Sequence, residues 1–112
     1  MRFRERKVGE ILVLEILERR LDAKNAVAIK SGFLKKFDAG VFHIAIDMGS
    51  VTFIDSSGLG AFVTSMKLLG DRGSMVFFGV RPAVADVFRL TRMDRIFKMH
   101  QSEPEALEAF AG

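Results

Sequence analysis

The sequence predicts an α/β fold: a mixed, mainly parallel sheet of about five strands with four helices packed around it, in the order ββαβαβαβα. Three observations predict it. Apolar runs of strand length alternate with stretches of helical periodicity along the chain. The run from Val41 to Met48 is almost continuously apolar, as a strand covered on both faces requires. At the start, two extended pieces are separated only by Gly9-Glu10, which is the spacing of an antiparallel hairpin.

Each element has its own signal. Phe3 to Val8 and Ile11 to Leu17 form the opening hairpin, the second piece being rich in Ile, Leu and Val. Leu21-Asp22 then opens a helix, with Asp22 as its expected N-cap because a carboxylate accepts from the orphan N–H groups of a first turn. Ala26, Ile29, Phe33 and Phe37 follow at helical spacing, and Gly40 closes the helix. Val41 to Met48 is the next strand. Phe53-Ile54 leads into Asp55-Ser56-Ser57-Gly58, after which Leu59, Phe62, Val63, Met66 and Leu69 form one helical stripe. Gly70-Asp71-Arg72-Gly73 stops that helix, and Met75 to Phe78 is a buried strand. Pro82 suits the first turn of a third helix, whose apolar face is Val84, Val87 and Phe88. A short strand is expected near Arg95 to Met99. Ser102-Glu103-Pro104-Glu105 has the form of a capping box before a last helix, with Leu107 and Phe110 facing inward.

A chain of 112 residues supports one sizeable core, so a single domain over 1–112 is expected. Hydrophobic residues make up 49%, including eleven Phe and six Met, which excludes a disordered chain. The Met residues are scattered, as core filler is. There is no cysteine, which rules out disulfides, thiolate catalysis and cysteine metal sites, and suits a reducing cytoplasm. The start, Met1-Arg2-Phe3-Arg4, is charged and lacks the apolar stretch of a signal peptide; Ile11 to Leu17 is short and carries Glu15. Membrane insertion is therefore not expected. The formal charge is +3, from 17 basic and 14 acidic residues. The denser basic stretches are Arg2, Arg4, Arg6 and Lys7, and Arg89, Arg92, Arg95 and Lys98. Neither carries interleaved aromatics or a nucleic-acid motif, so both read as solvated faces and no direct nucleic-acid contact is expected.

Asp55-Ser56-Ser57-Gly58-Leu59-Gly60 is the segment that carries chemistry. Its plain reading is structural: Asp and Ser cap the helix, and Gly58 permits a tight turn. Gly60, however, lies within the helical stretch, where glycine costs about 1 kcal/mol relative to alanine. Two glycines in a first turn bare the backbone, so either a neighbouring strand or a partner can approach closely. Both explanations account for the glycines alone equally well.

Taken together, the chain resembles the STAS family, the domain shared by sulfate transporters and anti-sigma-factor antagonists. The resemblance is carried by Val51-Thr52-Phe53-Ile54-Asp55-Ser56-Ser57-Gly58-Leu59-Gly60. It is supported by Leu21-Asp22-Ala23, by Arg81-Pro82-Ala83-Val84, and by the ending Phe97 through Leu107. It implies a STAS-like fold and a bacterial anti-sigma-factor antagonist acting by partner switching, not an enzyme. It further implies that an anti-sigma factor with serine-kinase activity is the partner and phosphorylates Ser56. The unphosphorylated antagonist would bind that partner and release the sigma factor, and a PP2C-type phosphatase would reset the switch. Asp22, Asp47 and Asp55 match acidic positions around the family's functional surface, and Ser57, Gly58 and Leu59 would belong to the contact. One departure is the run Glu18-Arg19-Arg20 before Leu21-Asp22, where many antagonists carry a glycine.

Other chemistry has little support. His43 and His100 lack metal-ligand spacing, and His43 reads as a packed or rim histidine in a strand. There is no Walker loop, His-Glu-x-x-His or Gly-x-Ser-x-Gly motif, and Ser56 has no local His or Lys to activate it. No cofactor, metal or catalytic residue is expected. Two alternatives stand beside the switch. One is a STAS scaffold subunit of a signalling or lipid-transport complex, in which Ser56 is only a cap. The other is a nucleotide or lipid sensor using the same helix N-terminus.

Overall fold

The hairpin of β1 (Phe3–Val8) and β2 (Ile11–Ile16) begins the structure, a computed structural model that describes residues 1–111. The two strands are antiparallel, with Val8 opposite Ile11 and Phe3 opposite Ile16. β3 (Arg20–Leu21), α1 (Ala26–Asp38), β4 (His43–Asp47), β5 (Phe53–Ile54), α2 (Ser56–Leu69), β6 (Ser74–Phe78), α3 (Pro82–Leu90), β7 (Lys98–His100) and α4 (Glu103–Glu108) follow. The main sheet has the order β1-β2-β4-β6-β7. Only its first pair is antiparallel; β2-β4, β4-β6 and β6-β7 are parallel. The mixed five-stranded sheet with four helices is the architecture read from the sequence.

The strand alternation divides the core between the two faces. Leu12, Leu14, Ile16, Ile44, Ile46, Met75 and Phe77 join the buried residues of α1, α2 and α3 on one face. Val13, Ala45, Val76 and Phe78 join Ala106 of α4 on the other, with Leu107 and Phe110 packed at the side. Phe77 is the hub of the larger cluster. Its ring meets Phe62, Phe97 and Phe88 edge-on at centroid distances of 5.1, 5.2 and 5.6 Å. Such arrangements add about 0.5–1.5 kcal/mol per pair beyond area burial. The buried Ser65 hydroxyl donates to the Ala61 carbonyl at 2.8 Å, so this polar core residue is satisfied.

Several boundaries differ from the sequence reading, each for a local reason. Asp22 is not the N-cap of α1. The helix starts at Ala26 behind Asn25, and Asp22 instead heads a turn whose carbonyl accepts from the N–H groups of Asn25 and Ala26. Leu21 is not a helix residue either: it lies in β3, which pairs in parallel with β5 as a separate two-residue ribbon. On α2 the buried stripe is Gly58, Leu59, Ala61, Phe62, Ser65 and Leu69, with Val63 and Met66 only half-buried. The last strand starts at Lys98, because residues Met93–Arg95 form a 3-10 turn. In α4 the fully buried residue is Ala106, with Leu107 and Phe110 at its margin. Glu105 there donates its N–H to Ser102 Oγ at 3.4 Å and accepts from the Gln101 N–H at 3.2 Å, a capping box displaced by one residue.

Candidate functional site

The site is the junction of β5 with α2, and its position is set by β3. Within the ribbon, Arg20 pairs with Phe53 and Leu21 with Ile54. The Arg19 carbonyl accepts from the N–H groups of Thr52 and Phe53 at 2.8 and 3.1 Å, and the Leu21 carbonyl accepts from Asp55 N–H at 3.1 Å. The ladder therefore continues to the first residue before α2. Asp22 and Asp55 are the residues that directly follow the paired Leu21 and Ile54.

Asp55 caps α2. Its Oδ1 accepts from the N–H groups of both Ser57 and Gly58, at 2.9 and 3.0 Å, from an extended backbone. This satisfies two of the orphan donors of the first turn. Ser56, the first residue of α2, and Ser57 are exposed. The Ser56 hydroxyl makes no hydrogen bond to any described residue. It stands at the positive end of a 14-residue helix, a place that accommodates added negative charge.

The two glycines of this turn have different neighbours. A methyl at Gly58 would lie 2.5 Å from the Leu21 carbonyl oxygen and 2.9 Å from its carbon, so only glycine lets the helix sit this close to β3. A methyl at Gly60 would meet nothing within 4 Å, and Gly60 is exposed. Internal packing thus explains Gly58 and leaves Gly60 as bare helix backbone facing outward, beside the serines.

The remaining candidates are distributed around this turn. Asp22 Oδ1 accepts from Lys24 N–H at 3.0 Å, and Asp22 N–H donates to Asn25 Oδ1 at 2.9 Å. Asn25 Nδ2 in turn donates to the Arg20 carbonyl at 2.7 Å. The Arg20 guanidinium lies 4.0 Å above the Phe53 ring and 3.7 Å from the Asp22 carboxylate. Asp47 ends β4, where its carboxylate accepts from Gly49 N–H at 2.9 Å; among the described residues no hydrogen bond or ion pair links it to Ser56 or Asp55. Leu59 points into the core at 6% exposure, so it anchors the turn from beneath. His43 is half-buried with its ring 5.8 Å from that of Phe110. Among the described residues no three His, Asp or Glu side chains converge as a metal site would need. Among the described residues no helix is long and apolar enough to cross a membrane.

Sequence reasoning missed three contributors: the Leu21 carbonyl, Asn25, and the stacking of Arg20 on Phe53. The run Glu18-Arg19-Arg20-Leu21-Asp22 held the signal, since a strand of two residues leaves no alternation to detect.

Comparison with known proteins agrees with this geometry. A family model described as the STAS domain matches residues 3–106. A Thermotoga neapolitana protein that bears the name "Putative anti-sigma factor antagonist TM1081 homolog" is 31% identical over 109 residues, covering 95% of this chain and 96% of its own. The crystal structure of an anti-sigma factor antagonist from Thermotoga maritima superposes with a TM-score of 0.88 at 26% identity, covering 98% of this chain and 95% of that one. The phosphorylated form of the Bacillus cell fate determinant SpoIIAA superposes with a TM-score of 0.70 at 22% identity, covering 96% and 98%; at that identity the likeness is one of fold.

Proposed function

The chain belongs to the STAS domain family, and we propose from this premise that it is an anti-sigma-factor antagonist switched at Ser56. Unmodified, it binds an anti-sigma factor that is also a serine kinase, and the sigma factor is released. The kinase then moves the γ-phosphoryl group of its ATP onto Ser56 Oγ, leaving ADP, and the complex dissociates. A PP2C-type phosphatase hydrolyses the phosphoserine and restores binding. All of this takes place in the cytoplasm, and the transfer chemistry belongs to the partner enzymes.

One observation carries the reading. An exposed, unpartnered serine hydroxyl stands on a firmly capped helix end, beside the outward backbone of Gly60. A kinase can reach such a hydroxyl, and a partner can lie close against such a turn. The physics of the switch follows. Phosphate adds about −1.5 to −2 charges at neutral pH. In the free domain that charge faces water and the helix N-terminus, so the fold persists. In a complex the same group would be desolvated beside the carboxylate of Asp55, at a cost of several kcal/mol unless the partner supplies a matched cation. A loss of about 2.7 kcal/mol already weakens binding roughly a hundredfold.

The test is a pair of variants titrated against the cognate anti-sigma factor. Ser56→Ala should bind like the unmodified protein and accept no phosphate, while Ser56→Asp should bind about a hundredfold more weakly. Equal affinity for the two variants would refute the switch.

A further inference from the structure

Arg2, Arg4, Arg19 and Arg81 are not contiguous in sequence, yet they line one open surface pocket of about 480 Å³ together with Leu17, Ser50 and Thr52. The pocket lies where the ends of the hairpin meet the loop between β4 and β5 and the start of α3. Arg81 is the residue before the first turn of α3, so the amino end of that helix begins at the pocket wall. Thr52 also donates its hydroxyl to the Arg19 carbonyl at 3.2 Å, which holds two sides of the pocket together.

The charges here are poorly balanced. Arg4 is paired with Glu15 at 3.2 Å. The next arginine along β1, Arg6, is committed to Glu103, whose hydrogen bond and charge hold its pKa above the ordinary value. The guanidinium groups of Arg2, Arg19 and Arg81 have no carboxylate within 4.0 Å among the described residues, although the Arg2 backbone N–H donates to Glu18 Oε1 at 3.3 Å. The Arg2 guanidinium donates to the Leu17 carbonyl at 3.3 Å, and Arg81 Nε donates to the Gly49 carbonyl at 2.7 Å. Those bonds orient both groups and leave other N–H donors free, since a guanidinium carries five. Glu18 offsets part of this charge from the Arg2 backbone, but three guanidinium groups that form no ion pair still repel each other and raise the local anion concentration.

We propose that this pocket is a binding site for a small soluble anion bearing two or more phosphoryl groups. Guanidinium forks match phosphate oxygens in pairs, and the Ser50 hydroxyl supplies a further donor. The volume falls within the range of small-molecule sites and is larger than a single phosphate fills. The site is separate from the amino end of α2, since neither Asp55 nor Ser56 lines it.

Isothermal titration of the full chain with sodium pyrophosphate at low and high salt tests the site. One-to-one saturable binding is expected, weakening as salt rises. Arg2→Gln and Arg19→Gln should each weaken it about tenfold or more, while their melting temperatures stay close to that of the parent. Lys98→Gln removes the same charge from an exposed position on β7 and should change affinity less than twofold. Absence of saturable binding, or an equal loss in Lys98→Gln, would overturn the proposal. Two other results would also overturn it. Retention on phosphatidylglycerol-containing vesicles without pyrophosphate binding would assign the arginines to a lipid headgroup. Tighter binding of an oligoglutamate peptide than of pyrophosphate would assign them to an acidic protein segment.

Discussion

The inward and outward sides of the start of α2 each carry a glycine, and the two glycines behave in opposite ways. On the inward side Gly58 is wedged against the Leu21 carbonyl, and Leu59 is buried in the core beneath it. On the outward side Ser56, Ser57 and Gly60 face water, and nothing in the fold requires the glycine. Inward residues are therefore held by packing, and a change there acts on folding. Outward residues are free of packing, and a change there acts on whatever docks. Separating these two responses by mutation is the way to distinguish a structural motif from a functional one within six residues.

The largest expected effect on stability is on the inward side. Gly58→Ala brings a methyl to 2.5 Å from a backbone carbonyl, so β3 and α2 must separate. A loss of about 2 kcal/mol is expected in urea unfolding, even after the gain in helix propensity. A neutral result would mean that β3 yields easily and that the inward side is not rigid. Next is the cap between the two sides. Asp55→Ala removes the acceptor of two N–H groups and should cost about 1 kcal/mol in the same measurement. The smallest effect has the opposite sign. Gly60→Ala should stabilise the fold by about 0.5–1 kcal/mol, because the helix gains propensity and the methyl meets open space. The comparison sharpens further with Gly60→Gln, which should also raise the unfolding midpoint slightly, since Gln is a better helix former than Gly, yet reduce affinity for the anti-sigma factor about tenfold or more. If Gly60→Gln instead destabilises the domain and leaves affinity intact, the two sides have been assigned the wrong way round.

Much of this was legible in the sequence where the signal is local. Asp55 followed by two serines and a glycine at the head of an apolar stripe marks a capped helix, and the structure has that cap. The apolar run around Ile44-Ala45-Ile46 announces a strand covered on both faces, as β4 is. What could not be read depends on partners distant in the chain. The β3-β5 ribbon has two residues per strand, too few for a period, and its registry creates the close approach at Gly58. Asp22 has the chemistry of an N-cap, but Asn25 takes that place, and its amide ties back to Arg20. The basic stretch at the amino end reads as a solvated face in one dimension. Folding divides it, sending Arg6 to Glu103 on α4 and Arg2 and Arg4 into a pocket with Arg19 and Arg81. No spacing rule links those four positions, because three different connections bring them together.

The central claim is that charge on Ser56 acts on the complex and spares the fold. The most direct measurement compares the purified phosphoserine-56 form with the unmodified protein in two readouts, the dissociation constant for the anti-sigma factor and the thermal melt. The account predicts a dissociation constant about a hundredfold higher with a melting temperature that stays within a few degrees. An unchanged dissociation constant, or a melt that collapses along with binding, would contradict it.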